Sequence, residues 1–320
     1  MKYFAQRVIH ATALLLAISF FSFALVELAP GDYFDSMRLN PEISQQAVAG
    51  MRSQYGLDQP LLIRYERWLA ALLHGQLGVS LASRGPVGPV LRLRARNTLL
   101  LSGTATLFAW LLALPIGIWS ATKRNGWADR FWGLATSALL TVPDLVVFLG
   151  LLLVAVRTGW FPTGGMRTEA TGGLGYWSDA KDFARHLILP ALAVALVSVP
   201  ILIRHIRAAM IEALESPFLR AARGHGIANS RLLFRYALPA ASNPLISLLG
   251  FSVATMLSAS ALAEIVLGWP GLGPLLVESI LSKDVYLVVA IVMLSSVFLV
   301  AGNLLADLLL FASDPRIRME

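Results

Sequence analysis

Six stretches of this 320-residue chain run without Asp, Glu, Lys or Arg, save for a single Asp144: 8–26, 97–122, 131–156, 186–203, 236–263 and 285–306. A helix needs about 20 mostly apolar residues to cross a bilayer core. Each stretch meets that length, the fourth falling slightly short. They are rich in Leu, Ala and Val with little period-2 alternation, which favours helices over a barrel. Composition agrees, since only 14% of residues are charged and 57% are hydrophobic, whereas a soluble domain carries about 25% charge. The expectation is an all-α polytopic membrane protein with six transmembrane helices in one domain over 1–320. The spans would cover about 8–29, 97–122, 131–156, 186–208, 239–263 and 285–309.

Lys2 and Arg7 precede the first stretch as they would in a signal peptide, but Glu27 and Pro30 crowd its exit. A cleavage site wants small residues in an A-x-A-like pattern, so the stretch reads as an uncleaved span. With six spans both termini share a side. Basic residues divide evenly, 13 to 13, until the long loop 30–96 is set aside, as its length exceeds the roughly 60 residues over which the positive-inside rule operates. The balance then becomes 13 to 5 and places the termini in the cytoplasm. The net charge of +7 therefore reads as orientation and contact with anionic lipid, not as a nucleic-acid surface. Arg92, Arg94 and Arg96 stand on the other side of that balance, just before the second span. The chain has no cysteine, which removes disulfides and thiolate chemistry.

Two loops carry structure of their own. In 60–73, Leu61, Tyr65, Trp68, Leu69 and Leu72 fall on one helical face, and Gly75 stops the helix. The outer loop 30–96 should therefore hold short helices. On the inner side, 204–238 contains Ser216-Pro217, a hydroxyl for an N-cap and a proline at the first helical position. Phe218 to Arg223 can make about two turns, some 10 Å long, and Gly224 and Gly226 would supply a left-handed stop. Such a segment is shaped to dock.

The order Arg220-Ala221-Ala222, three residues, Gly226, nine residues, Tyr236-Ala237-Leu238-Pro239 resembles the "EAA…G…I-LP" loop of ABC importer membrane subunits. Arg220 replaces the usual Glu and Tyr236 the usual Ile. Further stretches resemble the peptide/nickel (dipeptide and oligopeptide) permease group along almost the whole chain: APGD at 29–32, YGLDQPLLIRYERWL at 55–69, GQLGVS at 75–80 and RNTLLL at 96–101. They continue with GWFPTGG at 159–165, HLILP at 186–190, AARGHGI at 221–227, WPGLGPLLVESI at 269–280 and DPRIR at 314–318. His225 stands where a Lys is usual and Gln76 where an Asp is usual.

The resemblance implies a permease subunit that imports peptides or similar small solutes by alternating access across a bacterial inner membrane. Its partners would be a second homologous permease, two cytoplasmic ABC ATPases and an extracytoplasmic substrate-binding protein. The ATPase coupling loop would comprise Pro217, Phe218, Arg220, Ala221, Ala222, Arg223, Gly224, Gly226 and Pro239. ATP would be used by the partners alone. The chain itself has no G-x-x-x-x-G-K-[ST] phosphate loop, and no cofactor or metal is expected on it, its five histidines being scattered.

Asp144, directly after Pro143 and near the midpoint of the third stretch, is the one ionisable residue at that depth. Such a residue is costly and faces a bundle interior or a water-filled path. It is a translocation-path candidate, with a structural, hydrogen-bonded aspartate as the alternative reading. The turn at 269–273 reads as an outer hairpin, with a re-entrant segment as its alternative. For the whole chain the alternatives are a stand-alone secondary transporter, which needs a midplane site in matching halves, and the permease of an ABC exporter. An intramembrane serine protease lacks its G-x-S-x-G.

Overall fold

The computed structural model describes residues 2–28, 31, 33–34, 44–54, 56–82, 85–168 and 175–313. Ala29, Pro30 and Asp32 of the APGD stretch and all of 314–318 lie outside them.

Helices α1 (Lys2–Leu28), α2 (Gln45–Gln54) and α3 (Leu61–Leu73) come first. Strands β1 (Val79–Ser80) and β2 (Gly85–Pro86) pair antiparallel, Val79 opposite Pro86. Helices α4 (Val87–Thr122), α5 (Trp127–Thr141), α6 (Asp144–Thr158), α7 (Tyr176–Leu214) and α8 (Pro217–Gly224) follow. The stretch 229–240 is helically wound around a π-helical centre, Leu233–Ala237. The chain then forms α9 (Ser242–Val266), α10 (Leu272–Leu281) and α11 (Val285–Ser313). Among the described residues, α1, α4, α7, α9 and α11 are long and apolar enough to cross a membrane, and α5 with α6 would make a sixth span.

The stretch 131–156, expected as one span, is two helices bent by 97°. The cause is local. The Pro143 ring disfavours helical backbone at the residue before it, and Val142 is accordingly extended, with φ −84° and ψ 123°. Helix α6 restarts from Pro143, whose carbonyl accepts the amide of Val146 at 2.9 Å. The expected hairpin after the fifth span is also different, since 272–281 forms the apolar helix α10. The fourth span is longer than its charge-free stretch, because α7 runs 39 residues and carries Pro190 and Pro200 inside it.

The residues divide into two compact units. One takes 1–97 and 270–298. There the expected apolar face of α3 is found packed, with Trp68 buried beside Phe23 of α1 and Val285 and Val289 of α11, and Leu61, Tyr65, Leu69 and Leu72 around them. Arg64 sits almost fully buried on that helix, donating to Glu27 at 2.7 Å with its guanidinium 5.5 Å from the Phe23 ring. A second charge fixes the β-turn region. Asp284, wholly buried, accepts from the Ser80 hydroxyl at 2.6 Å and the Ala82 amide at 3.1 Å, and caps α11 through the Leu287 amide at 3.3 Å.

The other unit takes 98–269 and 299–320. Its core is built on α7, of which Ala191, Ala193, Val194, Ala195, Ile206 and Met210 are inaccessible. Helix α4 contributes Leu101, Ala105, Ala109, Ala113 and Ala121 to the same core. With Gly117 these stand at every fourth position, and from Ala105 onward the face is one of small side chains. Lipid supplies no hydrophobic drive for helices to associate, so small residues that let backbones approach are what membrane packing uses. The closest approach is at Gly117. A Cβ there would meet Ile206 Cγ2 at 2.8 Å and the Ile203 carbonyl oxygen at 3.2 Å, whereas one at Gly103 on the same helix would meet nothing within 4 Å.

Gly117→Ala should therefore destabilise the unit by about 1–3 kcal/mol through overpacking, with Gly117→Leu worse. Gly103→Ala should be neutral or stabilising by the helix propensity of Ala. Thermal denaturation of the purified chain in lipid nanodiscs distinguishes the two sites.

Candidate functional site

The loop singled out in the sequence is held as a separate short helix. Helix α8 has Ser216 at its N-cap and Pro217 at N1. The Ser216 hydroxyl does not cap it as expected but donates back to the Ala213 carbonyl at 2.6 Å, while the Ser216 carbonyl accepts the Arg220 amide at 3.0 Å. Nor do both glycines end it. Gly224 is helical, and the left-handed stop is Gly226 alone, at φ +77°. There the chain turns with the Gly226 amide on the Arg223 carbonyl at 3.1 Å.

One side chain anchors this helix. Leu219 is wholly buried, contributing about 2 kcal/mol by the usual value for a fully buried Leu, and Ala222 and Ile227 lie against the same core. The rest faces out: Phe218, Arg220, Ala221, Arg223 and Gly224 are exposed. An exposed Phe beside Ala and Gly, flanked by two guanidiniums, is a face with a knob, a flat and positive charge. Leu232 and Ala237 are again buried and pin the return. The π-helical turn 233–237 lies just before Pro239, which is exposed. A proline inside a helix cannot donate, and its ring clashes with the carbonyl four residues earlier. Widening that turn is how the backbone passes it. Beside α8 a cavity of about 580 Å³ opens between Lys123, Leu214, Arg223, Asn229, Leu232 and Phe234.

The support for α8 comes from residues that sequence reasoning passed over. Asp129, in the first turn of α5, is 7% exposed. Arg207 of α7 grips it with two donors, Nε to Oδ1 at 2.5 Å and Nη2 to Oδ2 at 2.9 Å. The Ser120 hydroxyl donates to Oδ1 at 2.6 Å and the Asn125 amide to Oδ2 at 2.9 Å. Both carboxylate oxygens are thus doubly satisfied, the planar two-donor arrangement that suits Arg best. The turn between α4 and α5 is held with it. Asn125 is left-handed at φ +63°, and Arg124 pairs with Glu215, the residue just before the Ser216 cap. Asp129, Arg207 and Ser120 lie up to 87 residues apart in sequence (Ser120 to Arg207), so no local pattern joins them.

Asp144 is not at mid-helix. It is the first residue of α6, exposed and without an ion-pair partner among the described residues. A carboxylate in the first helical turn faces the positive end of the helix dipole. The structure does not bring it together with α8. Among the described residues no three His, Asp or Glu side chains stand where they could hold a metal.

Residues 113–319 match the family model described as "Binding-protein-dependent transport system inner membrane component", and residues 1–87 match the N-terminal model of such membrane components. The chain is 34% identical to the oligopeptide transport system permease protein AppB of Bacillus subtilis, over 98% of each chain. It is 30% identical to the oligopeptide transport system permease protein OppB of Mycobacterium tuberculosis, over 100% of this chain and 99% of the relative. It is 32% identical to the glutathione transport system permease protein GsiC of Salmonella typhimurium over the full length of both. Among solved structures, an inward-facing conformation of the MetNI methionine ABC transporter superposes with a TM-score of 0.59 at 15% identity. The match covers 70% of this chain and 96% of that one, a likeness of fold.

Removing one partner of a buried ion pair leaves the other uncompensated, at a cost of about 3–5 kcal/mol. Arg207→Met should approach the lower end, as the Arg207 side chain is about one-third exposed. Asp129→Asn with Arg207→Met should recover most of that loss. A double-mutant cycle on thermal stability measures the coupling, and additive losses would deny it.

Proposed function

Since the chain belongs to the family of binding-protein-dependent transport system inner membrane components, the permease subunits of ABC importers, we propose that it carries peptides inward and that α8 is its coupling helix. It is a multi-pass membrane protein and a transport subunit, not an enzyme. Such subunits work with ATPases and substrate-binding proteins. The finer assembly we propose is this chain, a second homologous permease, two cytoplasmic ATPases and one extracytoplasmic binding protein. ATP is bound by the ATPases only. Both termini and α8 face the cytoplasm, and 30–96 faces the binding protein.

The observation that carries the reading is the build of α8: a helix of eight residues stuck down by Leu219 and presenting Phe218, Arg220, Ala221 and Arg223 outward. A connecting loop has no need of that face. A docking helix does, because a partner's groove takes an exposed aromatic and short side chains at helical spacing. Peptide as cargo rests on the names of full-length relatives at 30–34% identity. ATP-driven closure of the ATPases would displace α8. The displacement passes to α7, whose end is separated from α8 by only Glu215 and Ser216, and the path alternates between outward and inward access.

Asp144 remains the path candidate on this reading. It opens α6 at the 97° break, exposed on the isolated subunit, where it can meet the aqueous path or the second permease. A carboxylate there favours the amino terminus of a peptide.

Gly226→Pro tests the coupling role. A proline is fixed near φ −65° and lacks the N–H, so it can neither adopt φ +77° nor bond Arg223. The variant should reach the membrane and retain its ATPase partners' basal hydrolysis while peptide uptake falls to background. Uptake at the unaltered rate overturns the assignment. Asp144→Asn should lower uptake of cationic peptides severalfold and leave anionic ones unchanged. Equal transport of both classes removes Asp144 from the path.

A further inference from the structure

The three arginines before α4's apolar run find no explanation in orientation, and one of them marks a site. Arg92 and Arg96 are exposed, while Arg94 is half-buried. It lines a cavity of about 210 Å³ together with Glu278 of α10 and the hydroxyl-bearing Ser80, Ser279 and Ser282. The remaining wall is apolar, with Val90 and Leu275 among its residues. Arg94 and Glu278 make no ion pair with each other or with any other described residue. Glu278 is exposed at the mouth while Ser80 and Ser279 are buried in the wall, so one open cavity carries an unpaired cation and an unpaired anion on its lining.

We infer that this cavity binds a small zwitterion, the two free ends of a short peptide, with its carboxylate on Arg94 and its ammonium on Glu278. Arg offers a carboxylate two parallel N–H donors, and Glu accepts an ammonium. Two opposite charges in one hollow that do not neutralise each other leave room for a ligand that carries both. The size sets an upper limit. Ligand sites for drug-sized molecules run from about 300 to 1,000 Å³, so this one suits a dipeptide or the end of a longer chain.

The cavity has a rigid frame. Ser80 is held by the wholly buried Asp284, which also caps α11, and Ser279 donates to the Leu276 carbonyl at 2.8 Å. The inference rests on the import reading for its direction: on that reading the cavity belongs to the outward side, where it would receive peptide released by the binding protein before the path opens.

The test is equilibrium binding of radiolabelled Ala-Ala to the full chain in nanodiscs, without the binding protein. Binding should saturate, and N-acetyl-Ala-Ala and Ala-Ala amide should each compete about tenfold less well, since each has lost one charge-assisted contact. Arg94→Gln should weaken Ala-Ala about tenfold but not further weaken N-terminally free Ala-Ala amide. Glu278→Gln should do the converse. Val90→Phe, which fills the cavity and removes neither charge, should abolish binding. Unsaturable binding, equal competition by the blocked peptides, or wild-type binding by both charge variants overturns the inference. So does a photo-crosslinker at Glu278 that captures the binding protein while Ala-Ala does not bind, which would make the cavity a docking surface. Uptake by the full assembly is measured alongside. Lost binding with intact peptide uptake sinks this site alone, whereas absence of any peptide uptake sinks the import reading.

Discussion

The Asp129–Arg207 pair is the contact on which the geometry around α8 depends. A carboxylate buried at the start of α5 costs several kcal/mol unless a cation stays with it, so α7 cannot shift its last turns without carrying α5 along. Ser120 adds the end of α4 to the same carboxylate, and the Asn125 amide adds the turn between them. Three helices thus share one anion. The Arg124–Glu215 pair extends the arrangement to the residue before α8. On the proposed coupling role, a push on α8 would therefore be received by a block of helices and not by one flexible strand of chain.

That block needs close packing to move as one, and the sequence supplies it in a form easily overlooked. Ala105, Ala109, Ala113, Gly117 and Ala121 repeat every four residues along α4, a pattern hidden inside a run that reads merely as apolar. Four-residue spacing of small side chains is the membrane counterpart of a hydrophobic stripe. Its effect is visible at Gly117, where the Ile203 carbonyl and Ile206 leave no room for a methyl group. Aromatic residues mark the ends of the same unit. Trp119, Trp127, Phe131 and Trp132 form a chain of ring contacts, and Trp160, Tyr176 and Trp177 stand exposed. Amphipathic rings of this kind settle at the level of lipid headgroups.

The features legible in the sequence were those set by local chemistry. Hydropathy located the apolar helices, since a charge-free run of that length has few other fates. Periodicity identified the α3 face, because Leu61, Tyr65, Trp68, Leu69 and Leu72 recur at helical spacing. Ser216-Pro217 and Gly226 marked the limits of α8. What was not legible depends on pairing across the chain or on direction. Pro143 was visible, yet the length of an apolar run carries no information about the bend within it, so 131–156 read as one span and Asp144 as its midpoint. The run at 272–281 was too short to be read as a span and followed Pro270 and Gly271, so it passed for part of a turn. The Asp129–Arg207 pair joins residues 78 apart, and Asp284 reaches Ser80 across 204. In both cases the aspartate alone looks like an ordinary loop charge.

A division among the charges follows from their surroundings. Asp129 and Asp284 are buried and saturated with donors, so any change in their bonding would cost more than a ligand contact returns, and they serve to fix turns. Glu27 is committed to Arg64. By contrast, Arg220 and Arg223 on α8, Asp144 at the start of α6, and Arg94 with Glu278 have no ion-pair partner among the described residues. Water can satisfy such groups at little cost while the subunit is alone, and a partner or solute can displace that water with a better-placed opposite charge. In a chain with so few charges, the unsatisfied ones are where specificity toward an ATPase or a peptide can reside. The saturated ones hold those positions in place.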